Sequence, residues 1–178
     1  IHYHDPVRVM TTANLSSAYS NGSSGVGATL TNNSTQAALT IDGVLLTTND
    51  RVLVQDQTTG AQNGVYKVTT VGTASSNWVL TRTTDTDSYA VSDPDAFGEG
   101  DTFFVLEGSV HAGHLEVMNV SGTITFGTTA ITFTNIAQTA VYTAKNGVAL
   151  DGTAFSIDSG ANIIAATFQS DTVKFPDS

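Results

Sequence analysis

Two strand-like segments that follow one another closely constrain the fold of this chain more than any other feature. Residues 50–55 (DRVLVQ) and 63–68 (NGVYKV) are separated by a short loop, 56–62, and Gly and Asn lie between the two apolar runs. β-Branched and aromatic residues favour strands, whereas Gly and Asn favour the positions where strands reverse. The two segments therefore predict two strands joined by a reversal of the chain.

A second strong signal precedes them. Residues 39–46 (LTIDGVLL) are two short apolar runs joined by Asp42 and Gly43. The Asp-Gly dipeptide favours a type I′ turn, because both of its residues adopt positive φ at low cost. We expect a tight hairpin here, with Asp42 and Gly43 in a structural role.

Similar segments recur about every ten residues along most of the chain, which is typical of a sandwich or a small barrel. Several of them alternate apolar and polar side chains, as strands of an antiparallel sheet with one buried face do. We predict an all-β fold, an antiparallel β-sandwich or small barrel, over residues 7–137. The predicted strands are 7–11, 28–31, 38–41, 44–46, 51–55, 64–71, 78–82, 102–106, 114–119, 123–126 and 130–134, with long loops at 14–27, 83–100 and 108–113.

The regions on either side of this module differ from it. Residues 1–6 are interpreted as a linker from a preceding region, and the chain as a fragment of a longer gene product. Residues 138–178 contain short apolar runs with Asn-Gly and Asp-Gly turns, and 161–168 fit a helix and a strand equally well. An isolated hairpin cannot bury its apolar residues alone. We therefore expect a C-terminal β-hairpin connector that contacts a neighbouring chain and promotes oligomerisation.

Charge and composition exclude several classes of function. Six Lys and Arg residues stand against sixteen Asp and Glu residues, which gives a net charge of −10. Such a chain repels nucleic acid, and its basic residues form no cluster. No segment approaches the roughly 20 apolar residues that a membrane-spanning helix needs, so we expect no membrane insertion. The chain has no Cys, so no disulfide or thiolate metal site supports the fold.

The order of these segments resembles a module found in tail-fibre and other virion proteins of tailed bacteriophages. The segments that carry the resemblance are 7–15, 39–44, 50–54, 57–59, 62–66, 78–82 with Asp85, 100–105 and 127–133. Residues 146–158 are similar to connector elements that follow such modules. The resemblance implies a homo-oligomeric, often trimeric, structural module of a virion tail appendage, assembled in the host cytoplasm. Its implied partners are its own copies, other virion proteins and host-surface glycan, and it brings no catalytic residue or cofactor.

Histidines offer candidates for a metal site. An extended segment would place His2 and His4 on one side, His114 and Glu116 share one strand face, and His111 or another chain could complete either pair. A zinc site requires three or four convergent ligands with hydrogen-bonded supports. Each segment provides at most two, so we interpret these histidines as solvated side chains and predict no metal site.

The acidic loop at 85–95 is a second candidate. Asp85 and Asp87 could bind calcium through their carboxylates, but the loop lacks the twelve-residue spacing of the helix-loop-helix motif. Asp and Ser also begin turns by bonding their own backbone, and we favour that interpretation. Arg82 and Asp85 are three residues apart at a strand end, which predicts a local ion pair that shapes the loop.

No constellation of residues points to catalysis. Glu99, Asp101, Glu107 and Glu116 are carboxylates that nothing in the sequence brings to one cleft, and no G-x-S-x-G motif is present. Trp78 could stack on a sugar, but a single Trp between apolar residues favours core packing. We predict a non-enzymatic protein without a cofactor. Two alternatives remain open: a capsid decoration protein, and a carbohydrate-binding module or part of a depolymerase.

Overall fold

Short strands separated by turns make up the part of the chain that the structure describes. The computed structural model describes residues 2–90, 96–136, 148–151 and 154–157, with only the backbone in the last two ranges. The chain divides into two compact units, Ile1–Gln138 and Thr139–Ser178. Within the described ranges, no helix has the length and apolar character needed to cross a membrane.

Among its described residues, the first unit contains twelve strands and one short 3₁₀ helix, Gly60–Gln62. The second unit contains the remaining two, β13 and β14, which pair as an antiparallel hairpin. The strands are β1 (His2–Tyr3), β2 (Val9–Met10), β3 (Ser17–Ser20), β4 (Thr29–Asn32), β5 (Thr40–Ile41), β6 (Val44–Leu45), β7 (Arg51–Val54), β8 (Gly64–Thr70), β9 (Val79–Arg82), β10 (Asp101–Phe104), β11 (Leu115–Met118), β12 (Phe133–Asn135), β13 (Val148–Asp151) and β14 (Ala154–Ile157).

Two main sheets organise the first unit. One has six strands in the order β2-β7-β8-β9-β4-β3, the other has four in the order β1-β10-β11-β12, and β5 and β6 form a separate hairpin. Most neighbours are antiparallel, but β1 runs parallel to β10 and β2 runs parallel to β7. Neither described sheet closes into a barrel. The all-β prediction is confirmed, in the form of packed open sheets.

The core lies on both faces of the six-stranded sheet. Leu53 and Val65 point to one face and meet Phe103 and Met118 of the four-stranded sheet. The neighbours Val52, Val54, Tyr66 and Val68 point to the opposite face, where they pack with Leu80, Trp78 and the apolar residues around the β5–β6 hairpin. This period of two is the pattern that strands buried on both faces require. Burying each large apolar side chain contributes roughly 1.5–3 kcal/mol.

The N-terminal segment is part of the fold, so its assignment as a linker is wrong. His2 and Tyr3 pair with the start of β10, and the Val7 amide donates to the Phe104 carbonyl at 2.9 Å. The Arg8 amide then donates to the Arg51 carbonyl of the other sheet at 2.9 Å. Residues 2–10 therefore run along the edges of both sheets, which lets a polar segment complete two backbone ladders.

Two other predictions fail at loops and edges. The segment 123–126 is not a strand, although Ile124 and Phe126 are buried. The segment 14–27 is not all loop, because Ser17–Ser20 forms the edge strand β3 along β4. Its Ser-rich composition gives no strand signal, and its structure comes from pairing with a neighbour. The question of helix or strand at 161–168 lies outside the described residues.

The Asp42–Gly43 hairpin is confirmed. Thr40 pairs with Leu45 and Ile41 with Val44, and the two turn residues have φ of 47° and 80°. The Asp42 carboxylate also accepts a hydrogen bond from the His111 amide at 2.9 Å, so it holds the loop at 108–113 in place.

A buried arginine organises the end of β9. Arg82 is only 1% exposed, and its Nη2 donates to the Asn63 carbonyl at 3.0 Å and to the Tyr66 hydroxyl at 2.8 Å. Its guanidinium carbon lies 4.8 Å from the centre of the Tyr66 ring and 5.1 Å from that of Phe126. Gly64 leaves the space that the guanidinium fills, because a Cβ atom there would overlap Nη1 of Arg82.

The predicted Arg82–Asp85 ion pair is wrong. Arg82 lies opposite Tyr66 across the β8–β9 ladder, so its side chain lies on the same face of the sheet as Tyr66. Asp85 pairs instead with Arg51 and His4. A spacing of three residues just beyond a strand does not determine which face a side chain takes, and the sheet register decides it here.

Replacing Gly43 by Val should destabilise the protein by about 1–2 kcal/mol, because a β-branched residue is strained at positive φ. Gly43→Asn is the matched control. Both variants place a Cβ atom 2.6 Å from the Ser109 hydroxyl, but Asn tolerates this backbone conformation. Chemical unfolding of both variants measures the difference. Equal losses in the two variants would contradict the role of positive φ.

Gly64→Ala should cost about 2–4 kcal/mol, because the added methyl group displaces the Arg82 guanidinium and the residue has a φ of 141°. In an Arg82→Met background the displaced group is gone, so the same substitution should cost measurably less. Urea unfolding of the two single variants and the double variant gives the coupling. Additive losses would show that Gly64 does not make room for Arg82.

Candidate functional site

Five charged or ionisable side chains form a connected cluster where the N-terminal segment crosses from the edge of one sheet to the edge of the other. They are His2 of β1, His4 just after it, Arg51 at the start of β7, Asp85 in the loop after β9, and Asp101 at the start of β10. The cluster therefore links the four-stranded sheet to the six-stranded sheet. Residues far apart in sequence meet here because β1 lies beside β10.

Direct contacts connect each member of the cluster to the next. The two terminal nitrogens of Arg51 donate to the two carboxylate oxygens of Asp85 at 3.1 and 2.8 Å. The same carboxylate accepts a hydrogen bond from Nδ1 of His4 at 3.1 Å. On the other side, Oδ1 of Asp101 lies 3.3 Å from Nδ1 of His2 and Oδ2 lies 3.1 Å from Nε2 of His4. The Gly98 amide also donates to Oδ2 of Asp101, at 2.9 Å.

The His4 imidazole is the buried centre of the cluster. Its side chain is 4% exposed and its ring stacks on Phe103, with 4.8 Å between the ring centres. Although Nε2 is close to Asp101, the oxygen is not in line with the direction of an N–H bond. Nε2 therefore has no hydrogen-bond partner among the described residues. A buried polar atom without a hydrogen bond is costly, and such an atom invites a functional explanation.

Electrostatic interactions shift the pKa values of two of these groups. Burial of the His4 ring opposes its charged form, but contacts with the Asp101 and Asp85 carboxylates outweigh burial and raise its pKa to about 9. Burial also raises the pKa of Asp85, but hydrogen bonds from His4 and Arg51 lower it well below its usual range. At neutral pH the cluster therefore contains an imidazolium between two carboxylates, which crosslinks the sheets.

The same cluster contains the one group of possible metal ligands found in the part of the chain that the structure describes. One ligand atom each from His2, His4 and Asp101 lie within 4.8 Å of one another. The sequence pairs His2 with His4 but gives no signal that Asp101 joins them. No spacing rule connects His2 to a residue 99 positions away.

The other predicted metal candidates do not join this group. Nδ1 of His114 lies 3.2 Å from Oε1 of Glu116, which also accepts a hydrogen bond from Asn135 at 3.0 Å. The His111 ring lies 5.1 Å from that of His114 and beside the Asp42 carboxylate. His114 and Glu116 are therefore in contact, as expected. Glu116 also connects His114 to Asn135 of β12.

Asp87 and Trp78 are located elsewhere. Asp87 is part of the wall of a cavity of about 360 Å³, and burial raises its pKa. Trp78 is 7% exposed and packs in the core, so its ring is not available as a platform for a sugar. The cavity wall comprises Ser23, Ser24, Val26, Asp87, Ser88, Tyr89, Ile124, Thr125 and Phe126.

No known protein family, no curated protein sequence and no solved structure matches this chain. Function must therefore be inferred from the contacts, burial and charge of its own residues. The features that bear on function are the cluster around His4, the cavity beside Asp87 and the exposed faces of the sheets.

Raising the pH should destabilise the protein through His4. The pKa of the imidazole is about 6.5 in the unfolded chain and about 9 in the folded one, where it faces His2, Asp101, Asp85 and, through Asp85, Arg51. Below pH 6.5 both states carry the proton and the stabilisation is fully present. As the pH rises through about 9 it is lost, at a cost of about 1–3 kcal/mol.

Urea unfolding in the presence of a chelator, over this pH range, measures the effect. His4→Gln is the control, since it keeps a polar side chain that does not titrate, and it should show a flatter dependence on pH. Identical profiles for the two proteins would show that His4 does not carry the effect.

Proposed function

We propose that this chain is a structural, self-associating module of a bacteriophage virion appendage, such as a tail fibre, that connects or presents the parts that attach to the host. The observation that carries the proposal is an uncharged, apolar surface on the outer face of the four-stranded sheet. The resemblance of its segments, in their order, to virion modules is the reason for placing the module in a virion.

The strand register defines this outer face. Tyr3, Thr102, Val117 and Thr134 align across the four strands. The adjacent row contains Phe104, Leu115 and Ile136, the last placed by the bond from its amide to the Leu115 carbonyl at 2.9 Å. Three of these large apolar side chains are well exposed: Tyr3 at 68%, Phe104 at 44% and Ile136 at 53%. Large apolar side chains exposed on one face of a sheet are typical of an interaction site.

A second copy of the chain is the occupant that the charge distribution favours. The chain has a net charge of −10, so most surfaces of one copy repel those of another. The seven residues of these two rows include no ionisable group other than the Tyr3 phenol, and the exposed Asp5 lies beside them at the edge of the sheet. Two copies could therefore bring the rows together with little charge repulsion. Closed symmetry among identical chains is the usual outcome of such contacts.

The buried arginine brings together two of the segments that carry the resemblance. Asn63, Gly64 and Tyr66 belong to one of the shared segments and Arg82 to another. These four residues contact one another around one guanidinium. Because these segments meet in the core, they support a structural role for the module.

Two alternatives have their own support. A capsid decoration protein would also be acidic, β-rich and self-associating, and gold labelling of particles separates it, because labelling of the tail alone is incompatible with decoration. A carbohydrate-binding module is favoured by the cavity beside Asp87, since hydroxyl and carboxylate groups there lie next to Tyr89 and Phe126. Aromatic rings beside polar groups can bind sugars.

Light scattering on the full chain tests the proposal. We expect an oligomer, and the resemblance implies a trimer. Phe104→Asp places a negative charge in the apolar face and should dissociate the oligomer into monomers that remain folded. Val110→Asp is the matched control, because Val110 is 63% exposed in the loop that Asp42 holds. A monomeric wild-type chain, or a Phe104→Asp oligomer as stable as that of wild type, would contradict self-association through this face.

A further inference from the structure

The geometry around His4 points to a metal site, and we propose that His2, His4 and Asp101 bind a divalent transition-metal ion such as Zn²⁺. Two imidazoles and one carboxylate are a common set of protein ligands for such ions. This site is independent of the apolar face that supports self-association.

The ligand atoms lie close enough together to converge on one ion. Two ligands at about 2.0–2.1 Å from a tetrahedral ion lie about 3.3 Å from each other. Nδ1 of His2 lies 3.3 Å from Oδ1 of Asp101, and Nε2 of His4 lies 3.1 Å from Oδ2, the other oxygen of the same carboxylate. With one ligand atom from each residue, the three atoms all lie within 4.8 Å of one another. An ion could therefore be bound with small movements of these side chains.

The orientation of His4 is the more specific observation. In a hydrogen-bonded pair, the donor points at the acceptor. Nε2 of His4 does not point at the nearby Asp101 oxygen and has no hydrogen-bond partner among the described residues, although its side chain is only 4% exposed. Two ligands of one ion are also close together without pointing at each other, because both point at the ion. The contact between His4 and Asp101 has this character.

The surroundings provide the support that metal ligands need. A histidine ligand usually donates its second ring N–H to a carboxylate, which fixes the tautomer and the ring orientation. Nδ1 of His4 donates to Asp85 at 3.1 Å, and Arg51 holds that carboxylate through two hydrogen bonds. The Gly98 amide positions Asp101 in the same way. The cluster therefore has both an inner set of ligands and an outer set of supports.

The ion can enter from solvent through His2. The His2 side chain is 42% exposed, whereas those of His4 and Asp101 are each 4% exposed. Water can therefore reach the site on the His2 side and complete the coordination. Mixed nitrogen and oxygen ligands favour Zn²⁺, Ni²⁺ or Co²⁺ over Mg²⁺ and Ca²⁺, which prefer oxygen ligands alone.

Isothermal titration of the full chain with Zn²⁺, and with Ca²⁺ for comparison, tests the proposal. We expect one Zn²⁺ ion per chain and no comparable binding of Ca²⁺. His4→Gln and His2→Gln should each weaken Zn²⁺ binding at least tenfold, and Asp85→Asn should weaken it by about 10–100-fold through loss of the support to His4. Visible absorption of bound Co²⁺ reports the coordination geometry and should change in these variants.

His111→Gln is the matched control, because it removes a histidine from the other pair of imidazoles and should leave Zn²⁺ binding unchanged. His2→Gln removes the most exposed ligand and should keep the fold, which circular dichroism verifies, so the test holds even if His4→Gln unfolds. The proposal is overturned if wild type does not bind Zn²⁺, if folded His2→Gln binds it as tightly as wild type, or if His111→Gln weakens binding equally.

Discussion

The burial of the Arg82 guanidinium is the constraint on which much of the first unit depends. A cation removed from water must be satisfied by groups held in place around it. Here Nη2 bonds to the Asn63 carbonyl and the Tyr66 hydroxyl, and the guanidinium lies over the Tyr66 and Phe126 rings. Nε and Nη1 have no hydrogen-bond partner among the described residues, so the two rings carry much of the stabilisation. Asn63 is itself fixed, because its side chain accepts a bond from the Gln57 amide and donates to the Ile131 carbonyl. The contacts of this one buried charge thus hold together the β7–β8 connection, the β8–β9 ladder and the loop that contains Phe126.

The cluster around His4 plays a corresponding role between the sheets. Arg51 belongs to the six-stranded sheet and Asp101 to the four-stranded sheet, and Asp85 and His4 connect them. The apolar core between the sheets resists separation, but apolar contacts are not directional. Charged hydrogen bonds are directional, so the cluster determines how the N-terminal segment lies across the two edges.

The sequence predicts the local features of this fold better than the long-range ones. The Asp42–Gly43 turn follows from two residues, and the strands around 51–55 and 64–71 follow from their own apolar pattern. β3 could not be predicted, because its Ser-rich sequence becomes a strand only beside β4. Asp85 pairs with Arg51 and not with Arg82, because the register of β9 turns the Arg82 side chain toward Tyr66, whatever the spacing in sequence. Asp101 joins His2 only through the parallel pairing of β1 and β10, which no local pattern encodes.

That parallel pairing has a mechanical consequence. The amides of His2, His4 and Val7 donate in succession to the carbonyls of Gly100, Thr102 and Phe104. A pull directed along the axis of β1 loads these three bonds together, in shear, whereas a perpendicular pull would break them one at a time. The ion pairs of His4 lie beside the same bonds and bear part of the load. A force applied from the N-terminal side is therefore shared by both sheets before any single strand separates from its neighbour.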